Sequence, residues 1–245
     1  MKLDTREIQA IANIQPARVD LYSGIHKAIR TLMADTLLAL SRLDPDDDAE
    51  LGSVSGRITE LLDFCAAHVR HENDFVHTAI EARAAGASAA LAREHDEHVQ
   101  TITRLQADVD RLRRTAGGQK AASAAQALYR DLALFVGHNL VHMHEEETAH
   151  NAILWACYTD AELIDLHTRL VASIAPAEMM YTLRWMVPAL TPAERTALFS
   201  DMQAHGPAQA FEAALSHVRP FLSGNDWAKL ARSLGLPPVP GLVTV

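Results

Sequence analysis

Apolar residues recur every three or four positions along most of the chain, which is the period of an amphipathic α-helix. The proline and clustered aspartates of residues 44–48 interrupt the first such segment, since these residue types favour turns. Gly117-Gly118 interrupts the pattern again, after the third segment. The pattern therefore predicts four long helices, at about 17–43, 51–85, 88–114 and 120–157. Four helices with short connections predict an all-α, up-down-up-down antiparallel four-helix bundle.

Beyond Thr159 the pattern changes, because prolines divide the chain into short helical segments. Residues 191–194, Thr-Pro-Ala-Glu, have the sequence of a capping box that begins a helix. The segment 179–190 is apolar enough to require something larger to pack on. We therefore expect a bundle over residues 1–158 and a helical C-terminal appendage over residues 159–245 that packs on it.

Composition and charge narrow the class of protein. A chain with 49% hydrophobic and 22% charged residues is typical of soluble globular proteins. The net charge of −9 disfavours nucleic acid or an anionic membrane as a partner. Residues 1–7 contain no apolar signal core, and no apolar run approaches the ~20 residues of a membrane span, so we expect a cytoplasmic protein. Cys65 and Cys157 form no metal-binding spacing and are expected to be small apolar core residues.

The thirteen histidines are the unusual feature of the composition. His142 and Glu146 are four residues apart, so both project from one face of the fourth helix. His68 and Glu72 repeat this pair on the second helix, and both pairs follow the apolar stripe of their helix. Burying a carboxylate costs several kcal/mol unless an opposite charge compensates for it. Two facing carboxylates among imidazoles therefore predict bound cations.

The other two helices supply histidines at matching positions of an approximate internal repeat. His26 precedes His68 by 42 residues, and His98 precedes His142 by 44, with His95 as an alternative to His98. At least six ligands are too many for one tetrahedral ion, so we expect two ions that share bridging carboxylates. Imidazole and carboxylate together suit iron or manganese, with zinc as the alternative. The candidate metal ligands are His26, His68, Glu72, His95, His98, His142 and Glu146.

A single His-x-x-x-Glu pair on a helix is more often a solvated surface pair, so the repetition carries the prediction. His138 fits a ligand or a packed core histidine equally well. Glu145 remains a candidate carboxylate, and Glu147 is expected to face water. Four further histidines are assigned to the surface because they fall off the predicted ligand face: His71, His77, His144 and His150.

Taken in order, these elements resemble the hemerythrin-like, HHE cation-binding domain family over about residues 17–157. That family carries His-x-x-hydrophobic on its first helix and His-x-x-Glu-Glu on its second, and repeats this on helices three and four. The matching stretches are residues 26–29, 68–75, 94–98 and 142–146. In the third stretch His95 fits the family's Glu-His start, whereas His98 fits the apolar spacing that follows. His71 replaces the first of the usual two glutamates, and His77 stands where a proline is common.

The resemblance implies a non-haem di-iron centre bridged by Glu72 and Glu146. It favours a protein that binds or senses oxygen, nitric oxide, peroxide or iron. The His-x-x-x-Glu spacing on the fourth helix differs from the longer His-to-Asp spacing of the oxygen carriers, which argues against reversible oxygen storage. The alternatives are a di-iron enzyme (a peroxidase, oxidase or nitric-oxide-handling protein) and a metal-stapled module whose C-terminal appendage binds a protein partner. No nucleophile with a base stands out, so the sequence does not separate these classes.

Overall fold

The computed structural model describes residues 18–115 and 117–237. These residues form helices joined by turns, without a strand among them, which confirms the all-α class. None of the described helices combines the length and hydrophobicity that a membrane span requires. The predicted start of the first helix at residue 17 and the segment 1–7 lie outside the described residues.

Four helical rods form the N-terminal part of the structure, and two of them contain a π-helical turn. The rods are α1 (Ser23–Ser41); α2 (Asp48–His71), continued by a π turn (Glu72–His77) and α3 (Thr78–Arg83); α4 (Ala89–Arg114); and α5 (Gln119–Glu145), continued by a π turn (Glu146–His150) and α6 (Asn151–Cys157). Each π turn begins at one of the two predicted metal-binding glutamates.

Local chemistry sets where these rods begin. The Asp47 side chain accepts hydrogen bonds from the N–H groups of Ala49 and Glu50 at 2.9 and 3.0 Å, which caps α2. Gly118 precedes α5 with φ of +76°, a left-handed conformation that glycine adopts without strain. Its N–H donates to Asp46 Oδ1 at 2.6 Å and ties this connection to the one between α1 and α2.

The four rods contact one another in a ring, α1 with α2, α2 with α4, α4 with α5 and α5 with α1. They enclose one hydrophobic core, whose most deeply buried members include Leu32, Met33, Ile58, Leu61, Leu62, Leu105 and Leu132. Along the chain, most core residues come after the candidate ligands on α1 and α4, but before them on α2 and α5. This alternation supports antiparallel directions for neighbouring rods.

Two apolar residues of the bundle, Leu140 and Cys157, are less buried than an apolar residue of a core helix would be. Leu140 is 43% exposed, because Asn139 occupies the buried stripe of α5 and the next residue lies roughly 100° around the helix. The buried Asn139 side chain finds a hydrogen-bond partner within its own helix, since its Nδ2 donates to the Phe135 carbonyl at 2.8 Å. Cys65 lies in the core as predicted, whereas Cys157 is only partly buried because it ends α6 where the chain turns.

The C-terminal part consists of short helices. They are α7 (Asp160–Ser173), α8 (Pro176–Ala189), α9 (Pro192–His205), α10 (Ala208–Val218), a 3₁₀ turn (Arg219–Phe221) and α11 (Gly224–Ser233). The predicted capping box at residues 191–194 is confirmed, and a second one opens α7 with Thr159 and Glu162. Proline at the first position of α8 and α9 fits the helix start, where no N–H is needed.

Helix α8 joins the two parts by using two of its faces. Tyr181, Trp185 and Met186 pack against the core of the bundle, and α8 lies along α1. Leu183 and Val187 instead join a second core that includes Phe199, Phe211, Leu215, Val218 and Leu230. The C-terminal helices thus pack on the bundle through α8. The division into domains at residue 158 stays a prediction.

Candidate metal centre

The two predicted His-x-x-x-Glu pairs come together in the interior of the bundle. His68 Nε2 lies 3.1 Å from Glu72 Oε1, and His142 Nε2 lies 3.2 Å from Glu146 Oε1. Glu72 is 3% exposed and Glu146 is fully buried. Both glutamates stand at the point where an α-helix passes into a π turn, so a change of helical geometry occurs at each of them.

His26 and His95 contact both carboxylates from the other two rods. His26 Nε2 lies 3.6 Å from Glu72 Oε1 and 3.4 Å from Glu146 Oε2. His95 Nε2 lies 3.4 Å from Glu72 Oε2 and 3.5 Å from Glu146 Oε1. Each carboxylate therefore presents one oxygen to the side of His26 and the other to the side of His95, which is the arrangement of a bridging carboxylate.

The candidate ligands thus form two groups that share both glutamates. The first is His26, His68, Glu72 and Glu146, and the second is Glu72, His95, His142 and Glu146. Within each group the ligand atoms lie within 4.8 Å of one another. In the second group the Nε2 atoms of His95 and His142 approach to 2.9 Å, so two imidazoles direct nitrogens at one region.

Outer hydrogen bonds hold three of these imidazoles in place. The Nδ1 atoms of His26, His95 and His142 lie 3.0, 2.8 and 2.8 Å from side-chain oxygens of Glu147, Asn73 and Glu94. An Nδ1–H that donates outward fixes the tautomer in which Nε2 is free to bind a metal. The three rings therefore present Nε2 towards the carboxylates.

The prediction that Glu147 faces water is wrong. The Arg30 guanidinium donates to both of its oxygens, at 2.6 and 3.0 Å, and His26 contacts the same carboxylate. Burial alone would raise the Glu147 pKa, but the hydrogen bonds from His26 and Arg30 outweigh it and lower the pKa to about 2. Glu147 is consequently an anion that orients a candidate ligand. Glu145, the other open carboxylate, is exposed.

Both carboxylates at the centre are unsatisfied by the protein. All four oxygens of Glu72 and Glu146, and Nε2 of His26 and His68, have no hydrogen-bond partner among the described residues. Leaving such groups buried and unpaired is costly, whereas a cation between them would satisfy them together. Mixed imidazole and carboxylate donors suit iron, manganese or zinc. The residues present therefore fit a metal.

Protonated histidines take over as positive partners when no cation is bound. Burial lowers the pKa of His95, but the negative charge of the nearby Glu146 and Glu72 carboxylates outweighs this effect and raises the pKa to about 9. The pKa of His26 is raised for the same reasons. Burial would raise the pKa of both glutamates, yet the facing imidazoles hold each pKa below its usual range. The centre is thus built for positive charge between the carboxylates.

His98, the alternative third-helix ligand, lies beside the two groups and belongs to neither. Its ring packs edge-on against His142, with centroids 4.7 Å apart, and against Phe135. Burial, with the neighbouring His142 and His95, lowers the His98 pKa to about 4. His98 is therefore a neutral imidazole in contact with a candidate ligand. His138 is exposed, so it meets neither of the two expectations for it.

The surface assignment of His77 and His150 is wrong, since they are 5% and 2% exposed. His77 follows Glu72 by five residues, which an α-helix would place roughly 140° away from it. The intervening turn is π-helical, with bonds spanning five residues, and this brings His77 back to the glutamate's face. His142, Glu146 and His150 are spaced four residues apart and so lie along one helical face. This spacing is visible in the sequence and could have predicted that His150 is buried. His144 is exposed as expected, and His71 is partly buried, 3.6 Å from Glu178.

A helical bundle whose interior holds two groups of imidazoles and shared carboxylates defines the class of metal-binding bundle proteins. The family model of the hemerythrin HHE cation binding domain matches residues 18–154. Because this match spans more than half of the chain, the protein belongs to the hemerythrin HHE cation-binding family. Comparisons with curated proteins and with solved structures found no match. The family and the His/Glu groups together indicate that this chain binds a metal cation.

Proposed function

We propose that the chain binds two iron ions between Glu72 and Glu146, and that this centre binds or senses oxygen, nitric oxide, peroxide or iron. One ion takes its imidazoles from His26 and His68, and the other takes them from His95 and His142. Bound iron supplies an open coordination position and one-electron chemistry to a small ligand. Manganese and zinc are the alternatives that the same donors accept.

The observation that carries this proposal is the division of the carboxylate oxygens. Glu72 directs Oε1 at His26 and His68 but Oε2 at His95, while Glu146 directs Oε2 at His26 but Oε1 at His95 and His142. None of these oxygens has a hydrogen-bond partner among the described residues. Two cations bridged by both carboxylates would satisfy every one of them, which a single ion on one side would not.

The sensing role rests on the position of α1. This helix carries His26 towards the centre and lies along α8 on another side. Lys27, the next residue, donates to both Glu194 oxygens at 2.5 and 2.7 Å, and so joins α1 to the start of α9. Loss of metal frees His26 and loosens α1, and the contacts with α8 and α9 would carry that change to the C-terminal helices. The C-terminal part would then present or withhold a surface for a partner protein.

Metal loading tests the proposal. Purified protein is incubated anaerobically with ferrous iron, and we expect two irons per chain and an optical spectrum that changes on admission of oxygen. Glu146→Gln should reduce the iron content, while Glu145→Gln, a change in the exposed neighbour, should not. One iron or fewer per wild-type chain would refute the proposal.

Two further measurements separate the roles that this centre could have. Hydrogen exchange of the full chain should become faster in α8 and α9 when iron is removed, and unchanged exchange there would contradict a sensing role. Turnover of peroxide that disappears with iron in Glu146→Gln would identify an enzyme instead. If hydrogen exchange in α8 and α9 is unchanged and no peroxide is turned over, the metal would serve only to stabilise a protein-interaction module.

A further inference from the structure

His77 and His150 form a third group with Glu146. One nitrogen of each ring and one Glu146 oxygen lie within 4.8 Å of one another. The two rings stand edge to face, with centroids 5.1 Å apart, and His77 stacks on the candidate ligand His95 at 4.7 Å with an angle of 4° between the planes. Two more imidazoles thus lie against a carboxylate that both other groups already share.

His77 is buried, with 5% of its surface exposed. Neither of its ring nitrogens has a hydrogen-bond partner among the described residues. Buried polar atoms in native proteins are almost always paired, and an unpaired one costs free energy. Stacking on His95 uses the face of the His77 ring and leaves its in-plane nitrogens unsatisfied. Metal coordination would use the one in-plane lone pair that a neutral imidazole carries.

His150 shares the outer arrangement of three candidate ligands. Its Nδ1 lies 3.2 Å from the hydroxyl of Tyr22, a residue that is 1% exposed. His26, His95 and His142 likewise have Nδ1 held by an outer oxygen. An Nδ1–H donated to Tyr22 leaves the lone pair on Nε2, which is the tautomer that a metal needs. The surroundings of His150 therefore match those of a ligand.

We propose that His77 and His150 are two further ligands of the metal centre and bind one of the two proposed ions, which Glu146 also holds. This inference rests on the proposed function, since it requires a metal between the glutamates. Each of the first two groups offers four residues, which leaves positions of an octahedral ion open. The π turns after Glu72 and Glu146 supply the missing donors from the same two rods.

The test compares wild-type protein with the double variant His77→Ala/His150→Ala. The matched control is His138→Ala/His144→Ala, which removes two exposed histidines from α5. Iron per chain is measured by elemental analysis, iron affinity by competition with a chelator, and imidazoles per iron by X-ray absorption. We expect the double variant to hold as many irons as wild type, with fewer imidazoles per iron and at least about 10-fold weaker affinity, since even outer partners of ligands change affinity 10–100-fold.

A second variant separates ligation from packing. His77→Phe keeps a ring that can stack on His95 but has no nitrogen to bind a metal. If His77 is a ligand, His77→Phe should retain the thermal stability of the metal-free protein and should lose imidazole coordination and iron affinity. If His77 serves packing alone, His77→Phe should match wild type in all iron measurements, which would overturn the proposal for this residue.

The remaining outcomes are distinct. Unchanged affinity and imidazole number in the double variant would refute the inference and leave the proposed function intact. Three irons per wild-type chain, of which the double variant keeps two, would also refute it, because the pair would then hold an ion of its own. Wild-type protein that takes up no iron would refute the proposed function itself.

Discussion

Removal of the metal should make the stability of the chain depend on pH in a specific way. In the metal-free protein the His95 pKa is about 9, while an unfolded chain titrates this histidine near its ordinary value of 6.5. A raised folded pKa means that the stabilisation is fully present below pH 6.5 and is lost as pH rises towards 9. We therefore expect the free energy of unfolding to fall across this range.

The size of the effect follows from the two pKa values. The full displacement from 6.5 to about 9 corresponds to about 3 kcal/mol, of which about 2 kcal/mol is lost between pH 7 and pH 8.5. His26 and His142, whose pKa values are also raised, act in the same direction. Since a domain is typically stable by about 5–15 kcal/mol, this loss is readily measured. Burial raises the Cys65 pKa to about 12, and an unfolded thiol ionises only near 9, so this window belongs to the histidines.

Acid should destabilise the same metal-free protein for the opposite reason. Burial and the neighbouring histidines lower the pKa values of His77 and His98 to about 4. An unfolded chain binds these protons from pH 6.5 downwards, while the folded chain does not, so stability is lost as pH falls towards 4. The metal-free protein should therefore be most stable near pH 6.5.

Urea unfolding in the presence of a chelator, at pH values from 5 to 8.5, measures both limbs of this curve. His95→Gln should flatten the alkaline limb, and His144→Gln, a change at an exposed histidine, should leave it unchanged. Metal should also flatten that limb, because metal-bound imidazoles are not protonated. A wild-type curve that changes by less than about 0.5 kcal/mol between pH 7 and pH 8.5 would show that the imidazoles do not carry the charge assigned to them.

Three further outcomes are expected. Metal binding at pH 7 should release protons, because His26 and His95 must lose theirs to bind a metal. Calorimetry in buffers of different ionisation enthalpy measures this release, and no release would mean that these histidines were already neutral. Glu147→Gln should weaken metal affinity by about 10–100-fold while Glu145→Gln has no effect, and equal affinities by chelator competition would remove Glu147 from the orienting role. Phe199→Ala should lower the unfolding free energy by about 3–5 kcal/mol without changing the metal content, and a loss of metal would show that the second core supports the centre directly.

The central carboxylates could be predicted from sequence because their pattern is local. His68 with Glu72, and His142 with Glu146, follow from the four-residue spacing that places side chains on one helical face. The buried stripe on each helix then placed them inside the bundle. The choice between His95 and His98 could not be made in this way, since both face inwards and only the packing of α4 brings His95 to the carboxylates.

What the sequence did not reveal depends on departures from the α-helical period and on contacts between distant elements. His77 reaches the centre through a π turn, and nothing in the spacing of its neighbours predicts one. Glu147 is drawn to α1 by Arg30, which lies 117 residues away in the sequence. Helix α8 packs on two cores, and the hydrophobic pattern does not predict this. Hydrophobic residues on two of its faces can be assigned to two cores only when both cores are known.

The position of the centre between two hydrophobic clusters explains how it can be both polar and buried. On one side lies the large core of the four rods, and beyond the π turns lies a smaller cluster of Tyr22, Val76, Ile80, Leu154 and Leu163. The large core draws residues from all four rods and packs them together. The small cluster contains few residues, and it adjoins the centre through Tyr22 and the two π turns. Metal binding would therefore stabilise this end of the bundle most, which makes the π turns, α6 and the start of α1 the part of the structure most dependent on the metal.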